Sequence, residues 1–350
     1  MSHESLSADA IPVSYFTDPK HYAVERERVL LGNWFPVARQ EDLALPGDYL
    51  SIESAGDPIL VTHGLDGELR AFSNVCSHRL TKLAQGCGHA RSFQCPYHLW
   101  TYDLSGQLIG SPGMEDAEEF RRGDWNLREL GLDTWGGWVF VHLDKRARPL
   151  LEQMPQLDVT YPGAYLERLV RVGRSTCRSP WNWKIIVENF VESYHHAAVH
   201  AKTLQPLFPY RDIYEVDNCG EAWTAIEHPP AQKEMEALAV VTVFPTLLFS
   251  INRPFSMFWF QLNLLGHDEV ELDMQAFLTP ELADNEDLAK TLVEGVVAVN
   301  DEDFAINERT WRGMHSRDAT MGPLSRYEEG VKRFRRWLNA ELAETAAREQ

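Results

Sequence analysis

The sequence is poor in cysteine and has no long apolar run, and each shortage argues against a class of protein. Its 350 residues include five cysteines, an odd number scattered along the chain, which favours a reducing compartment and metal ligation over a disulfide framework. No stretch approaches the ~18 continuous apolar residues of a membrane span. The first residues have neither a basic start nor an apolar run, so we expect no signal peptide and a cytoplasmic location.

Positive charge is also in short supply. The chain carries 33 Lys and Arg against 52 Asp and Glu, a formal net charge of −19, so we expect neither a nucleic-acid partner nor an anionic membrane partner. In contrast, hydrophobic residues make up 44% of the chain and include 11 Trp, 11 Tyr and 16 Phe. These are enough to build a substantial core and to line an apolar pocket, and the length favours two domains.

The pattern of apolar residues changes along the chain and predicts three segments. Residues 1–33 form a polar tail and a short helix, which we expect to pack on the C-terminal segment. Short alternating runs separated by turn residues predict an all-β domain over residues 34–148. Residues 149–350 contain long neighbouring strand-like runs and then two helical stretches after Thr279-Pro280, which predicts an α+β domain with an antiparallel sheet and long C-terminal helices.

Residues 181–200 carry His195 and His200, five positions apart, together with Glu192. On a straight helix an offset of five turns the second side chain about 140° away from the first, so we expect the helix to loosen or end between the histidines. Two neutral imidazoles that converge at a helix break, with one carboxylate from elsewhere, would form a facial iron(II) site. A hydrogen-bonded structural pair is the alternative interpretation.

Two loops of the all-β domain each supply one cysteine and one histidine. The first is Cys76-Ser-His78, and after sixteen residues the second follows as Cys95-Pro-Tyr-His98. Zinc could bind this set, because two cysteines and two histidines are among its usual ligands. A Rieske [2Fe–2S] cluster also fits, since two cysteines hold one of its irons and two histidines the other. One ligand of each kind per loop favours the Rieske cluster, because a zinc finger pairs its cysteines together and its histidines together.

Taken in order, these motifs resemble a known family. C-S-H-R…C-P-Y-H-L-W-T-Y-D, followed by N-W-K…E-N-F-x-E-S-Y-H-x4-H, is similar to the α subunits of Rieske non-haem iron oxygenases, and the resemblance covers essentially the whole chain. It implies a Rieske domain followed by a helix-grip (START/Bet v1-like) catalytic domain. The metal ligands that it implies are Cys76, His78, Cys95 and His98 for the cluster, and His195 and His200 for the iron.

The resemblance also implies two acidic residues at the iron site. Glu192 matches the acid, often Asp, that connects the cluster of one subunit to the iron of its neighbour in a trimer, and a carboxylate there would orient both histidines. Alternatively, Glu192 is a solvated carboxylate on a helix face and has no functional role. The third iron ligand lies on the long C-terminal helix in the family. We expect Asp303, with Asp301 as the reserve, although acids here could also cap the helix.

Some residues near the motifs depart from the family pattern or carry no role. Leu80 and Leu99 stand where glycine is common, so we expect the packing of the cluster loops to differ while the ligands stay intact. Cys87 and His89 lie between the two ligand pairs, and we interpret them as ordinary loop residues. His196 is interpreted in the same way, because its neighbour already fits the iron site.

The implied activity is that of an oxygenase component that inserts oxygen from O₂ into an organic substrate. A ferredoxin and/or flavin reductase would relay electrons from NAD(P)H to the cluster, a mononuclear Fe(II) would activate O₂, and we expect a homotrimer. An aromatic or other apolar substrate is the default expectation. The alternative is a monooxygenase or an N- or O-demethylase acting on a quaternary ammonium, methoxy or methylamino compound. Aromatic residues on two strand-like runs could line the pocket or form plain core: Phe244, Phe249, Phe258 and Trp259.

Two functions of other classes stay open at this point. A Rieske electron carrier without oxygenase activity would need only the first motif, and the histidine pair of residues 181–200 speaks against it. A zinc-stabilised ligand-binding protein of helix-grip fold would use no redox chemistry. Colour separates these alternatives, because a Rieske protein is red-brown and zinc is colourless.

Overall fold

A computed structural model describes residues 9–217, 219–232 and 237–348, and these residues form two compact units. One unit is Gly32–Leu150, and the other combines the described parts of Met1–Leu31 and Leu151–Gln350. The polar tail expected at the N-terminus lies mostly outside the described residues. Within the described ranges, no helix has both the length and the hydrophobicity that crossing a membrane requires.

The unit Gly32–Leu150 is built from short antiparallel strands, as the alternating pattern predicts. The strands are β1 (Phe35–Arg39), β2 (Asp48–Ser54), β3 (Asp57–His63), β4 (Leu69–Ser73), β5 (Cys87–His89), β6 (Ser92–Gln94), β7 (Thr101–Asp103), β8 (Leu108–Gly110), β9 (Glu129–Trp135) and β10 (Trp138–His142). Seven of them form a sheet in the order β1-β10-β9-β4-β3-β2-β5, and β6-β7-β8 form a second one. Short 3-10 helices lie at Gln40–Leu43 and Arg122–Trp125.

The core of this unit reaches the loops that carry the cysteine–histidine pairs. The first of these loops follows β4, and the second lies between β6 and β7. Cys76 and Cys95 are each 1% exposed and pack in one apolar cluster with Trp100 and Tyr102. Both thiols therefore belong to the interior of the domain.

The second unit contains one antiparallel sheet. Its strands are β11 (Val170–Ser179), β12 (Tyr214–Glu215), β13 (Trp223–His228), β14 (Leu238–Val243), β15 (Leu247–Asn252), β16 (Ser256–Gly266) and β17 (Glu269–Leu278). They are ordered β11-β17-β16-β15-β14-β13-β12, so only the first strand is placed out of sequence order. This sheet and the C-terminal helices confirm the expected fold class.

Helices precede, interrupt and follow this sheet. They are α1 (Ser14–Thr17), α2 (Pro19–Glu25), α3 (Leu150–Gln153), α4 (Leu157–Thr160), α5 (Gly163–Leu166), α6 (Trp183–Phe190), α7 (Pro280–Ala283), α8 (Glu286–Met314) and α9 (Glu329–Arg348). A π-helix at Arg26–Leu30 continues α2, and 3-10 helices lie at Tyr194–Ala197 and Tyr210–Asp212. The two long helical stretches predicted after Thr279-Pro280 correspond to α8, preceded by the short α7, and to α9.

Two ion pairs fix α6, the helix that leads to the histidine motif. The ammonium of Lys184 lies 2.8 and 2.7 Å from the two carboxylate oxygens of Glu25 on α2, and both side chains are fully buried. One turn further along α6, Glu188 accepts two hydrogen bonds from Arg335 of α9, at 2.7 and 2.9 Å. Because charges this deeply buried need their partners, these pairs tie α6 to both α2 and α9.

Candidate metal sites

The two cysteine–histidine loops share one backbone geometry. In each, the N–H four residues after the cysteine donates to the cysteine carbonyl, from Leu80 to Cys76 and from Leu99 to Cys95, both at 3.0 Å. Both leucines have positive φ, +57° and +60°, and their side chains are exposed. Glycine adopts this conformation freely, whereas another residue pays about 1–2 kcal/mol. The departures noted in the sequence therefore fall on strained positions, while the loop geometry is intact.

The two histidines of these loops lie side by side with one nitrogen each left without a partner. The rings of His78 and His98 have centroids 4.6 Å apart. Their Nδ1 atoms are fully buried and meet no hydrogen-bond partner in the described chain, although the residues themselves are only partly buried. A buried polar atom without a partner is costly and calls for an explanation. Ligation of a metal through Nδ1 satisfies both atoms, so this set fits a metal cluster.

A tyrosine hydroxyl lies beside one of the thiols. Tyr102 is fully buried, and its hydroxyl is 3.4 Å from Cys76 Sγ and 3.1 Å from the backbone N–H of Ser77, which donates to it. Burial and the neighbouring thiol raise the pKa of Tyr102 to about 12. The hydroxyl therefore keeps its proton and can donate a hydrogen bond to sulfur.

The iron motif begins where α6 ends, earlier in the chain than expected. The α-helix stops at Phe190, before Glu192, and His195 lies on the 3-10 helix that follows. The start of α9 closely approaches the end of α6, since a side chain at Gly330 would collide with the carbonyl oxygen of Val191. The expected helix break between the two histidines is therefore wrong in position, since both histidines follow the helix.

Two imidazoles and one carboxylate converge after this break. Oδ1 of Asp303 on α8 lies 3.0 Å from Nε2 of His200 and 3.5 Å from Nε2 of His195. Asn189 on α6 donates to the same Asp303 oxygen at 3.2 Å. Asp301, the reserve candidate, is exposed and makes no such contact in the described chain. The triad has the composition of a 2-His-1-carboxylate iron(II) site.

Each of these imidazoles has a second carboxylate on its other nitrogen. Nδ1 of His195 is 2.6 Å from Glu192, and Nδ1 of His200 is 2.7 Å from Glu302. Thr203 also donates to Glu302, at 2.6 Å. With the protons on Nδ1, both Nε2 lone pairs point toward Asp303, which is how outer carboxylates commonly orient metal histidines. Sequence reasoning missed Glu302, although it directly precedes Asp303 in the acidic run.

The surroundings of His196 and His200 shift their pKa values in opposite directions. Burial opposes protonation of His200, but the carboxylates of Asp303 and Glu302 outweigh it and raise its pKa. His196 has ring nitrogens near those of both metal histidines, yet its Nδ1 faces a backbone carbonyl at 3.5 Å and burial lowers its pKa to about 2. It stacks on buried His228. His196 thus lacks the outer carboxylate that the other two possess.

A cavity opens from Asp303 between α8 and the sheet. One wall is a single face of α8, because its residues recur at helical spacing, and the floor comes from β11, β15, β16 and β17. The lining residues are Ser179, Trp181, Ile186, Asn189, Phe190, Leu248, Phe260, Leu272, Val296, Val299, Asn300, Asp303, Phe304 and Asn307.

The aromatic residues suggested by the sequence lie elsewhere. Phe244, Phe249, Phe258 and Trp259 are absent from the cavity lining, although β15 and β16 do contribute to it. Leu248 and Phe260, which pair across these strands, face the cavity. Alternation places Phe249 and Trp259 on the opposite face, where their rings stack at 6.0 Å. The run that contains Phe244 and Phe249 was expected to be one strand, but it forms two, β14 and β15, and Phe244 lies in the turn between them. The face that borders the cavity was not predictable without the sheet.

Comparison with known proteins identifies a family for each of the two domains. The Rieske [2Fe-2S] domain family matches residues 33–121, and the family described as ring hydroxylating alpha subunit (catalytic domain) matches residues 166–240 and 218–344. The carnitine monooxygenase oxygenase subunit of Escherichia coli (strain K12) is 36% identical over 193 residues, which are 54% of this chain and 52% of that protein. That match therefore spans about half the length of the relative.

Two further relatives match over nearly the whole chain. Chloroplastic choline monooxygenase of Arabidopsis thaliana is 27% identical over 356 residues, covering 96% of this chain and 83% of that protein. A crystal structure of the quaternary ammonium Rieske monooxygenase CntA with an inhibitor has a TM-score of 0.86 at 24% identity, covering 97% and 99% of the two chains, and shows the same fold. Since the catalytic-domain match alone spans half of the sequence, the chain belongs to the family of Rieske-type ring-hydroxylating oxygenase α subunits.

Proposed function

We propose that the chain is the oxygenase component of a monooxygenase that acts on a quaternary ammonium compound. The observation that carries the proposal is the cavity, which places aromatic rings beside Asp303, the residue that contacts both His195 and His200. Family membership implies a Rieske cluster and a mononuclear iron, and the buried Nδ1 atoms and the triad fit them. When bound, these groups supply electrons and activate O₂.

The relatives favour this substrate over the aromatic hydrocarbon expected by default. The names of the matched proteins refer to carnitine and choline, and the compared structure is that of a quaternary ammonium monooxygenase. Aromatic faces attract such cations within about 6 Å through the ring quadrupole. The expected aromatic substrate therefore gains no support from these relatives, and we propose the quaternary ammonium substrate instead.

The chain's own residues hold the reacting groups in place. Asp303, His195 and His200 form the proposed iron ligands, and Glu302 and Glu192 fix the two imidazoles. Glu192 is partly buried and lies at the end of α6, where we propose that it meets the cluster histidine of a neighbouring subunit in a homotrimer. A ferredoxin or flavin reductase, as the family uses, would be the source of electrons.

The chemistry proposed for the substrate balances with one O₂. A C–H bond beside the ammonium nitrogen becomes C–OH with one oxygen atom, while two electrons and two protons convert the other atom to water. The carbinol then breaks its C–N bond and releases an amine and an aldehyde. One amine and one aldehyde should therefore form per O₂ consumed.

A single-turnover experiment tests this function without the natural reductase. The metal-loaded protein is reduced chemically, exposed to O₂ with choline, carnitine or toluene, and assayed for amine and aldehyde. We expect amine release with a quaternary ammonium compound and none from His200→Ala, whose iron site lacks a ligand. Hydroxylated toluene with no amine from any ammonium compound would overturn the proposal.

A further inference from the structure

The cavity offers four aromatic rings and no cationic side chain. Trp181 and Phe304 have ring centroids 4.5 Å apart, and Phe190 and Phe260 meet edge to face at 5.3 Å. All four line the same space. Among the described residues that line it there is no Lys, Arg or His, and the polar ones are neutral except for Asp303.

The charges around the triad also favour a cationic ligand in the cavity. Asp303 lines the cavity, and the carboxylates of Glu192 and Glu302 lie just behind the two imidazoles. A divalent metal among three carboxylates leaves one formal negative charge. The potential in the cavity therefore favours a cation and opposes an anion.

The position of the reacting carbon decides where the rest of a substrate must lie. A carbon beside the ammonium nitrogen has to face the triad, so the other end extends away from Asp303. Along α8 the cavity continues to Val296, seven residues and roughly 10 Å from Asp303. A carboxylate at that end would be buried against apolar and neutral side chains, which is costly without a cationic partner.

We infer that the site is specific for a quaternary ammonium compound whose other end is uncharged, and that it discriminates against substrates carrying a carboxylate. This inference depends on the proposed function and narrows its substrate class. The aromatic rings hold the trimethylammonium group by cation–π attraction, and the neutral amide of Asn300, which lies on α8 between Asp303 and Val296, faces the polar, uncharged end. Choline has this form, whereas carnitine and glycine betaine do not.

Ligand binding to the holoenzyme tests the inference independently of turnover. Isothermal titration is carried out with choline, with glycine betaine, and with 3,3-dimethylbutan-1-ol, which copies the shape of choline without its charge. We expect choline to bind at least about tenfold more tightly than either of the others, because the uncharged alcohol lacks the cation–π attraction and glycine betaine must bury a carboxylate without a cationic partner. Phe304→Leu should reduce the preference for choline over its uncharged copy, whereas Trp311→Leu on the same helix, outside the cavity lining, should not.

A second variant, designed to improve binding of glycine betaine, still tests the inference if Phe304→Leu folds poorly. Val296→Lys places a cation at the far end of the cavity on a partly exposed helical position. It should raise the affinity for glycine betaine relative to choline by roughly tenfold. Equal or tighter binding of glycine betaine to the wild type would overturn the inference while leaving the proposed function intact. Failure of every ammonium compound to bind, with tight binding of the uncharged alcohol, would overturn both.

Discussion

Replacing Tyr102 with phenylalanine should lower the reduction potential of the Rieske cluster. The Tyr102 hydroxyl lies 3.4 Å from Cys76 Sγ, and a metal-bound thiolate is a stronger acceptor than the neutral serine oxygen nearby. Reduction adds negative charge to the cluster, so a hydrogen bond donated to its sulfur stabilises the reduced form more than the oxidised form. Phenylalanine keeps the buried ring and removes only this donor.

The magnitude follows from the strength of one hydrogen bond. A loss of about 1–1.5 kcal/mol from the reduced form corresponds to a fall of about 40–60 mV for a one-electron couple. The assay is a spectroelectrochemical titration of the purified wild type and variant at one pH. Tyr49→Phe is the matched control, because Tyr49 packs edge-on against Phe93 and makes no hydrogen bond to a cysteine within the described residues. An unchanged or higher potential in Tyr102→Phe with an intact cluster would refute the reasoning.

Three further predictions concern the iron site, the two cysteine–histidine loops and the buried ion pair of α6. Glu302→Gln should weaken iron binding about 10–100-fold in a chelator competition while leaving the sulfide content unchanged, since only the outer partner of one imidazole is altered. Leu80→Gly and Leu99→Gly should each raise the free energy of unfolding by up to about 1 kcal/mol in urea denaturation. Glycine adopts the positive φ without steric strain, and because both leucines are exposed, little packing is lost. A loss of stability in both variants would contradict the proposed backbone strain. Lys184→Met should lower the free energy of unfolding by about 3–5 kcal/mol, because Glu25 stays buried with the Trp183 hydrogen bond but without a charged partner. Combining it with Glu25→Leu should restore most of the loss.

The sequence could predict those parts of the sites that depend on short-range spacing. The two cysteine–histidine loops share one backbone turn, so the proposed ligands in each loop lie within a few residues of each other and their spacing can be recognised in the sequence. Asp303 could be proposed because the family places the last ligand on the long helix, where the acidic run Asn300–Asp303 is followed by the pattern F-A-I-N-E-R-T-W-R-G. The α+β class followed from the change of period at Thr279-Pro280.

Features that depend on contacts between distant elements could not be predicted. The end of α6 lies against Gly330 of α9, about 140 residues later in the chain, and no local signal in the sequence predicts this contact. The face of β15 and β16 that borders the cavity depends on which side the helices cover, which the alternation alone does not reveal. Glu302 gained its role only because helix geometry brings it to His200, 102 residues away.

The central claim is that one chain holds a Rieske cluster and a separate mononuclear iron ligated by Asp303, His195 and His200. Metal and acid-labile sulfide analysis of the wild type beside Asp303→Ala tests it most directly. We expect about three irons and two sulfides per chain in the wild type, and about two irons with both sulfides retained in the variant. Zinc without sulfide in the wild type, or an iron content that Asp303→Ala leaves unchanged, would contradict it.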